Sequence, residues 1–540
     1  MSKFILKFPE GFTPRTGQVK ILEKVEKAFD SGKKFVIIDA PTGVGKSHTA
    51  KTIANTSKEV PLEFKNLVHS YKIFGEDGGV LMDDIPSFGT FALTITKSLQ
   101  DQYQDTFKDT GILKGQSNYQ CDVDDELTVD VAPCIYVNNL KRECWAENRC
   151  PYYNQRNEML TSHFASLNYS MFFSLPDHLK RREIIICDEG SELEEQLVGQ
   201  FTCEVDIPFL IKCGIMMPSF PTQETPQKVQ EWIGRVSGEV QKKIESYKDK
   251  LGDSKLLADK IEYNKIKNEY SKLNNFNSSL TTLDQAYKYG EYLIEKVDKL
   301  IRFIPLKVDQ LSKYLFGYAE RVVIMSATII DHKSFCKSLG ITDYEYINVD
   351  SGFDPEKAPI HIMTNQKLNF KNLQSKLPDL MKQIKGILDH HSDEKGIIHT
   401  HTQYLADYIK NNIKSDRLLI REAGVRNEEI LEIHENSDEP TVLVSPSMTY
   451  GVDLKGDLGR FQIVMKAPWL PTKDIRVAKL MEVDKSWYSN MMLKTLVQAC
   501  GRGVRTAEDE CETYILDGSI YDAIQRNKSK LPKFFLERFV

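Results

Sequence analysis

Residues 39–47 read DAPTGVGKS and directly follow the apolar run 35–38. Gly43 and Gly45 let a backbone wrap an anion with its N–H groups. Lys46 adds a point charge, and Ser47 opens a helix whose positive end faces the same anion. Thr42 and Ser47 supply hydroxyls, with Ser47 placed for Mg²⁺. This is a phosphate cradle of the Walker A kind, with Ala40 where the first glycine usually stands. Residues 184–189, IIICDE, set Asp188 and Glu189 at the C-terminal end of a buried strand, where open α/β sheets hold ligands. Asp188 suits Mg²⁺, and Glu189 suits polarising an attacking water, the two tasks that phosphate hydrolysis sets for carboxylates.

About 450 residues beyond the cradle, residues 498–505 read QACGRGVR. Arg502 and Arg505 stand three apart on an expected helix, hence on one face, and a guanidinium fork matches phosphate oxygens. An arginine brought in from a second domain contributes on the order of 10³ to 10⁵ in rate to phosphoryl transfer, and only when the domains touch. Gln498, Arg502 and Arg505 therefore join Lys46, Asp188 and Glu189 as the expected catalytic set. Cradle and arginines together imply ATP hydrolysis tied to domain motion.

Such groups need sheets to hold them. Short β-branched runs followed by helical pattern recur in two blocks: 35–39, 91–95, 183–188 and 321–326, then 396–400, 418–421, 441–445, 461–466 and 513–517. Buried strands separated by helices predict two parallel α/β sheets with helices on both faces. Two segments interrupt the first block. One, about 115–160, carries cysteines. The other, about 206–315, is rich in Lys, Glu and Tyr. In it Val229, Ile233, Val236, Val240, Ile244, Tyr247 and Leu251 recur at steps of three and four, and Gly252 supplies a stop. Leu256, Tyr263, Ile266, Tyr270 and Leu273 then continue the pattern, predicting two long helices folded back on each other.

At 540 residues the chain exceeds one core and should divide into about three or four units. Hydrophobic content of 41% and charged content of 27% are those of an ordinary globular protein. No apolar run approaches the roughly 18 to 20 residues of a membrane span. The start, MSKFILKF, is too short an apolar stretch for a secretory signal, so the chain is expected to stay where it is made. A net charge of −6 gives no global field for nucleic acid, which leaves a local basic groove as the expected means of holding a strand.

Six of the ten cysteines (Cys187, Cys203, Cys213, Cys336, Cys500, Cys511) are scattered and read as small buried hydrophobes. Cys121, Cys134, Cys144 and Cys150 are separated by 12, 9 and 5 residues. Four thiolates can hold a [4Fe–4S] cluster or zinc, and without a CxxC pair the spacing favours neither.

The ordered set resembles superfamily 2 helicases of the XPD/Rad3/DinG type. Residues 13–18, TPRTGQ, look like the adenine-side motif before Walker A, which gives Arg15 and Gln18 a cofactor-binding role. Residues 94–102, TITKSLQDQ, resemble a strand-contacting motif, and Asn168-Tyr169 matches the pair before Walker B. Residues 113–121, LKGQSNYQC, and 150–153, CPYY, resemble the borders of that family's iron–sulfur insertion. SAT at 326–328 is similar to motif III, and GVD at 451–453 to motif V, which adds Asp453 to the nucleotide contacts.

The resemblance implies two RecA-like motor domains, the first interrupted by a cysteine-rich insertion and a helical arch. Its divisions would be 1–114, 161–205 and 316–355 for motor domain 1, 115–160 for the iron–sulfur insertion, 206–315 for the arch, and 356–540 for motor domain 2. It implies ATP and Mg²⁺ as cofactors, and a [4Fe–4S] cluster on the four cysteines ahead of zinc. It also implies a monomeric, cytoplasmic, nucleoid-associated DNA helicase, bacterial or acting in a host cell. The enzyme would move 5′-to-3′ on single-stranded or forked DNA, with an RNA–DNA hybrid as a further partner and no membrane. Thr96, Lys97 and Thr400 would touch the strand. A translocase that displaces proteins or resolves R-loops is the alternative within the class, and a nucleic-acid-binding module with impaired ATPase the alternative outside it.

Two departures stand out. Walker B reads Asp188-Glu189-Gly190-Ser191 where the family has DEAH, so Ser191 replaces the histidine expected to couple hydrolysis to the other motifs. Tyr450 precedes the motif V glycine where the family carries Glu. With about a dozen residues before the first motif, an N-terminal nuclease domain is not expected.

Overall fold

The computed structural model describes residues 2–41, 43–74, 78–135, 140–252, 260–369, 371–421, 425, 427–446, 454, 456–504 and 508–540. Among these, seven strands form a parallel sheet in the order Tyr344–Asn348, Phe35–Asp39, Ala319–Ser326, Arg182–Cys187, Thr90–Thr94, Phe164–Asn168, Gly111–Ile112. Register pairs Asp39 with Ser326 and Cys187 with Ile324, so the ends of three strands reach one edge together. A second, six-stranded parallel sheet runs Ile360–Ile362, Glu512–Ile515, Phe461–Val464, Gly396–His399, Val442–Ser445, Leu418–Ile420. Apolar clusters cover both faces of each sheet, as continuous apolar strands require.

Each run expected from the sequence is a strand, with ends within two residues of those predicted. Within these two parallel sheets four described strands were not anticipated: Gly111–Ile112, Phe164–Asn168, Tyr344–Asn348 and Ile360–Ile362. Three of these are sheet edges, either very short or half-exposed, and the fourth carries Ala and Ser in place of branched residues.

The predicted helical pair is Pro226–Leu251 and Lys260–Ala286, packed along each other. All seven apolar positions named on the first helix are buried, and Gly252 follows its last residue. Ile266, Tyr270 and Leu273 are buried on the second, while Leu256 falls outside the described residues. The pair stands on a three-stranded antiparallel sheet, Cys203–Asp206, Leu300–Pro305, Tyr292–Val297, which was not expected. Leu293 and Leu306 of this insertion pack against Val477, Leu480 and Trp487, so the insertion also meets the second sheet's domain. No described helix is long and apolar enough to cross a membrane.

Candidate functional site

The strand Phe35–Asp39 is buried almost to its start and delivers the chain into the phosphate cradle. Gly43 at φ 81° and Gly45 at φ 89° adopt the left-handed backbone that wraps a loop before the helix Lys46–Ala54. A Cβ on Gly45 would stand 2.5 Å from Gln18 Nε2, so glycine is required there twice over. Gln18 Nε2 donates to the Gly45 carbonyl at 2.9 Å, and its Oε1 accepts from the Arg15 backbone N–H at 2.8 Å. The Arg15 guanidinium donates to the Gly43 carbonyl. Both residues expected beside adenine therefore also brace the cradle. Lys46 Nζ rests 3.4 Å from the Ala40 carbonyl, and the Ala40 N–H donates to the Ser326 carbonyl at 2.9 Å, tying the loop to SAT. Thr42 lies outside the described residues.

Asp188 follows the strand Arg182–Cys187 and is buried. Tyr103 donates its hydroxyl to Asp188 Oδ2 at 3.0 Å, the Glu189 N–H donates to Oδ1 at 3.0 Å, and the Tyr169 hydroxyl reaches the Asp188 carbonyl at 3.4 Å. Burial and the Glu189 charge raise the Asp188 pKa, while Lys46 and the Tyr103 bond pull it back. The Tyr103 hydroxyl is also within reach of Ser47, so the two groups expected at Mg²⁺ converge on it. One hydroxyl and one buried carboxylate beside the cradle fit a hard cation that keeps waters and takes phosphate oxygens. Tyr103 was missed, because a tyrosine inside a helix carries no motif.

Glu189 is held at φ 48°, ψ 42°, a sparsely populated region for a residue with a side chain. At Gly190 a Cβ would lie 2.2 Å from Ile324 Cγ2. The alanine of DEAH has no room here, which explains the first departure in the motif.

The helix Lys485–Cys500 delivers Gln498 from the second domain and stops at Gly501. Arg502 was expected on a helix. It lies instead in the turn beyond that stop, where a Cβ on Gly503 would meet Cys511 Sγ at 2.2 Å. The turn is clamped by Arg538, whose guanidinium donates to the Ala358 and Cys500 carbonyls at 2.5 and 2.9 Å and to Thr513 Oγ1 at 3.3 Å. No sequence signal marked Arg538. Arg505 and Asp453 fall outside the described residues, as does Tyr450.

One cleft of about 710 Å³ takes Arg15, Gln18, Gly43, Gly45, Lys46, Ser47, Asp188 and Glu189 from the first domain and Gln498, Gly501 and Arg502 from the second. Residues 397–537 match the family model of a helicase C-terminal domain. No curated protein sequence matches the chain. Among solved structures, an XPD helicase superposes with a TM-score of 0.62 at 14% identity, over 96% of this chain and 98% of that one. Xpd4 of S. tokodaii gives 0.54 at 16% over 95% and 97%, and an apo XPD structure 0.54 at 13% over 93% and 96%. The fold is that of these XPD structures.

Within this fold Ser191, at the position the resemblance gives to histidine, lies between the two domains. Its Oγ lies 3.4 Å from both Thr328 Oγ1 and Gln498 Nε2, so it touches SAT on one side and the second domain on the other. Beside it Lys494 Nζ pairs with Glu192 at 2.9 Å and reaches the Ser191 carbonyl at 3.3 Å. Arg476 pairs with Glu194 at 2.5 Å, and Trp487 Nε1 donates to the same carboxylate at 3.2 Å. A buried, charged seam therefore joins the segment after Walker B to the arginine-bearing domain.

The expected strand contacts divide. Thr96 lines the cleft and caps the helix Lys97–Thr106 by accepting from the Leu99 N–H at 3.2 Å. Lys97 donates to Asn118 at 2.8 Å. Thr400 is fully buried, with its hydroxyl donated to the Thr402 carbonyl at 3.1 Å, and cannot face a strand in this arrangement.

Cys121, Cys134, Cys144 and Cys150 line one small cavity with apolar neighbours that include Val129, Ala132 and Leu140. Burial, then the neighbouring thiols, push Cys134 up to about 11. Among described His, Cys, Asp and Glu ligand atoms, the set within 4.8 Å of one another is His390, His391 and Glu512, not these sulfurs. Tetrahedral zinc needs sulfur–sulfur edges of about 3.8 Å. The four thiols line one cavity without three of their sulfurs meeting that 4.8 Å limit. The acidic stretch after Cys121 is partly neutralised, since Arg149 pairs with Asp122 at 2.8 Å.

Proposed function

We propose that this protein is an ATP-dependent DNA helicase whose two motor domains hydrolyse ATP in their shared cleft. One observation carries the proposal: the phosphate cradle and Arg502 line the same cavity from different sheets. Gly43, Gly45 and Lys46 would hold the phosphates, with Arg15 and Gln18 beside the base and fixing the loop. Ser47 and Asp188 would hold Mg²⁺, which neutralises phosphate charge when bound. Glu189 would take the proton side of the attacking water, and Arg502 would stabilise charge developing on the transferred phosphoryl group. Gln498 would sense that state through Ser191, because Gln498 and Thr328 touch the same Ser191 hydroxyl. Arg505, Thr42 and Asp453 complete the proposed contacts by resemblance.

Opening and closing of the cleft would move single-stranded or forked DNA 5′-to-3′. The proposed units are 1–114, 161–205 and 316–355 for the first motor, 356–540 for the second, and 115–160 and 206–315 for the insertions. Cys121, Cys134, Cys144 and Cys150 would hold a [4Fe–4S] cluster, which supplies a rigid clip for the insertion. Four sulfur donors lining one small apolar cavity support a bound cluster.

The test is ATP turnover with and without single-stranded DNA, paired with unwinding of forks that carry either a 5′ or a 3′ tail. Strong stimulation and opening from the 5′ tail are expected. Stimulated turnover without unwinding would point to a translocase, and no stimulation would overturn the helicase proposal. Iron and zinc analysis of anaerobically purified protein tests the cluster, with iron expected and its absence contradictory.

A further inference from the structure

A second group of ligating side chains lies at the edge of the second sheet where its strands begin. His390 ends the helix Leu373–His390, His391 follows it, and Glu512 opens the strand Glu512–Ile515. Ligand atoms of these three lie within 4.8 Å of one another. The opposite edge of the sheet, where the strand Gly396–His399 ends, is where His399 feels the charge of Arg502. This group is therefore separate from the nucleotide cleft.

Its surroundings fix it in place. The His391 ring stacks on Phe461 at 4.4 Å and 9°. That stack needs Gly396, where a Cβ would stand 2.5 Å from the Phe461 ring. Arg417 holds the His391 backbone, donating to the carbonyls of Leu388, His391 and Glu394 at 3.0, 2.7 and 2.8 Å. His391 Nδ1 lies 2.5 Å from Glu394, which places a proton on Nδ1 and leaves Nε2 as the nitrogen for a further partner. The Tyr514 hydroxyl lies 3.0 Å from Nε2 and 2.5 Å from Glu512, so it bridges the two groups. A half-shielded imidazole nitrogen, an exposed imidazole and a carboxylate therefore meet around one hydroxyl. Each of the two buried-side ligands has an outer partner to orient it: Glu394 behind His391, and Tyr514 beside Glu512.

We propose that His390, His391 and Glu512 bind a divalent transition-metal ion of the zinc class, with water completing the shell. Two imidazoles and a carboxylate are the donor set that such ions take. The ion would tie the last strand of the sheet to the helix that ends at His390.

The test is equilibrium dialysis of the full-length protein against zinc chloride, with bound metal counted by mass spectrometry. One zinc is expected to disappear in His390→Ala and in Glu512→Gln and to remain in Cys134→Ser, which perturbs the cysteine cavity only. His390 is exposed, so its variant keeps the fold. Glu394→Gln should weaken zinc binding about 10- to 100-fold, the effect of losing an outer-shell partner. Cobalt loaded at this site should show visible ligand-field bands without sulfur charge transfer, and those bands should vanish in His390→Ala. Unchanged zinc stoichiometry in His390→Ala and Glu512→Gln would overturn the proposal and leave a hydrogen-bond network only.

Discussion

Replacing Lys494 by Met should loosen the contact between the two motor domains. The Lys494 and Glu192 side chains are 7% and 9% exposed, and 2.9 Å separates their charges. Removing one partner of a buried pair is destabilising by about 3 to 5 kcal/mol, because the other charge is left unpaired. Gln498 Nε2 remains 3.4 Å from Glu192 and shares its charge, so the lower end of that range is expected. About 3 kcal/mol is roughly a 150-fold shift in the docking equilibrium. The penalty acts on docking, since Glu192 belongs to the first domain and Lys494 to the second. Pairing Lys494→Met with Glu192→Leu removes both charges and should restore docking to within about 1 kcal/mol. Fluorescence transfer between labels on the two domains reads the equilibrium, and ATP turnover reads its consequence. Single variants that add within about 0.5 kcal/mol, with no recovery in the double, would refute the coupling.

Gly190→Ala should destabilise the first domain by about 1 to 3 kcal/mol in urea unfolding, because its methyl would clash with Ile324 at 2.2 Å. Ser191→Ala should reduce DNA-stimulated turnover more than basal turnover, since it removes the hydroxyl between Thr328 and Gln498; equal losses in both would contradict that role. Burial and the Arg502 charge lower the His399 pKa to about 4 from 6.5. The unfolded chain therefore binds the extra proton first, and stability should fall by about 3 kcal/mol as pH drops from 6.5 towards 4. Asp39, raised by burial to about 6, works in the opposite sense over 3.8 to 6, so the readout is the difference between the wild type and His399→Leu across that window.

The cradle was legible because a phosphate loop uses glycine where only glycine fits, and its strand and helix lie beside it in the chain. Asp188 and Glu189 were legible for the same local reason. The bracing tyrosines Tyr103 and Tyr169 differ: Tyr169 sat in a recognisable pair, whereas Tyr103 reaches Asp188 from 85 residues away without a pattern. Arg538 was invisible, since its work is to hold carbonyls that become neighbours only after folding. The long helices declared themselves through seven buried positions on one face. The antiparallel sheet beneath them did not, because no residue of Tyr292–Val297 is fully buried and its pattern is interrupted by charges. Placing Arg502 on a helix failed at Gly501, whose stop signal was outweighed by the expected spacing of two arginines.

The central claim is that the cradle and Arg502 act on one nucleotide. Single-turnover ATP hydrolysis by Arg502→Ala, measured beside its nucleotide affinity, tests it most directly. A rate lowered by about 10³-fold or more, with nucleotide binding retained, is the predicted result. Hydrolysis at the wild-type rate would contradict it.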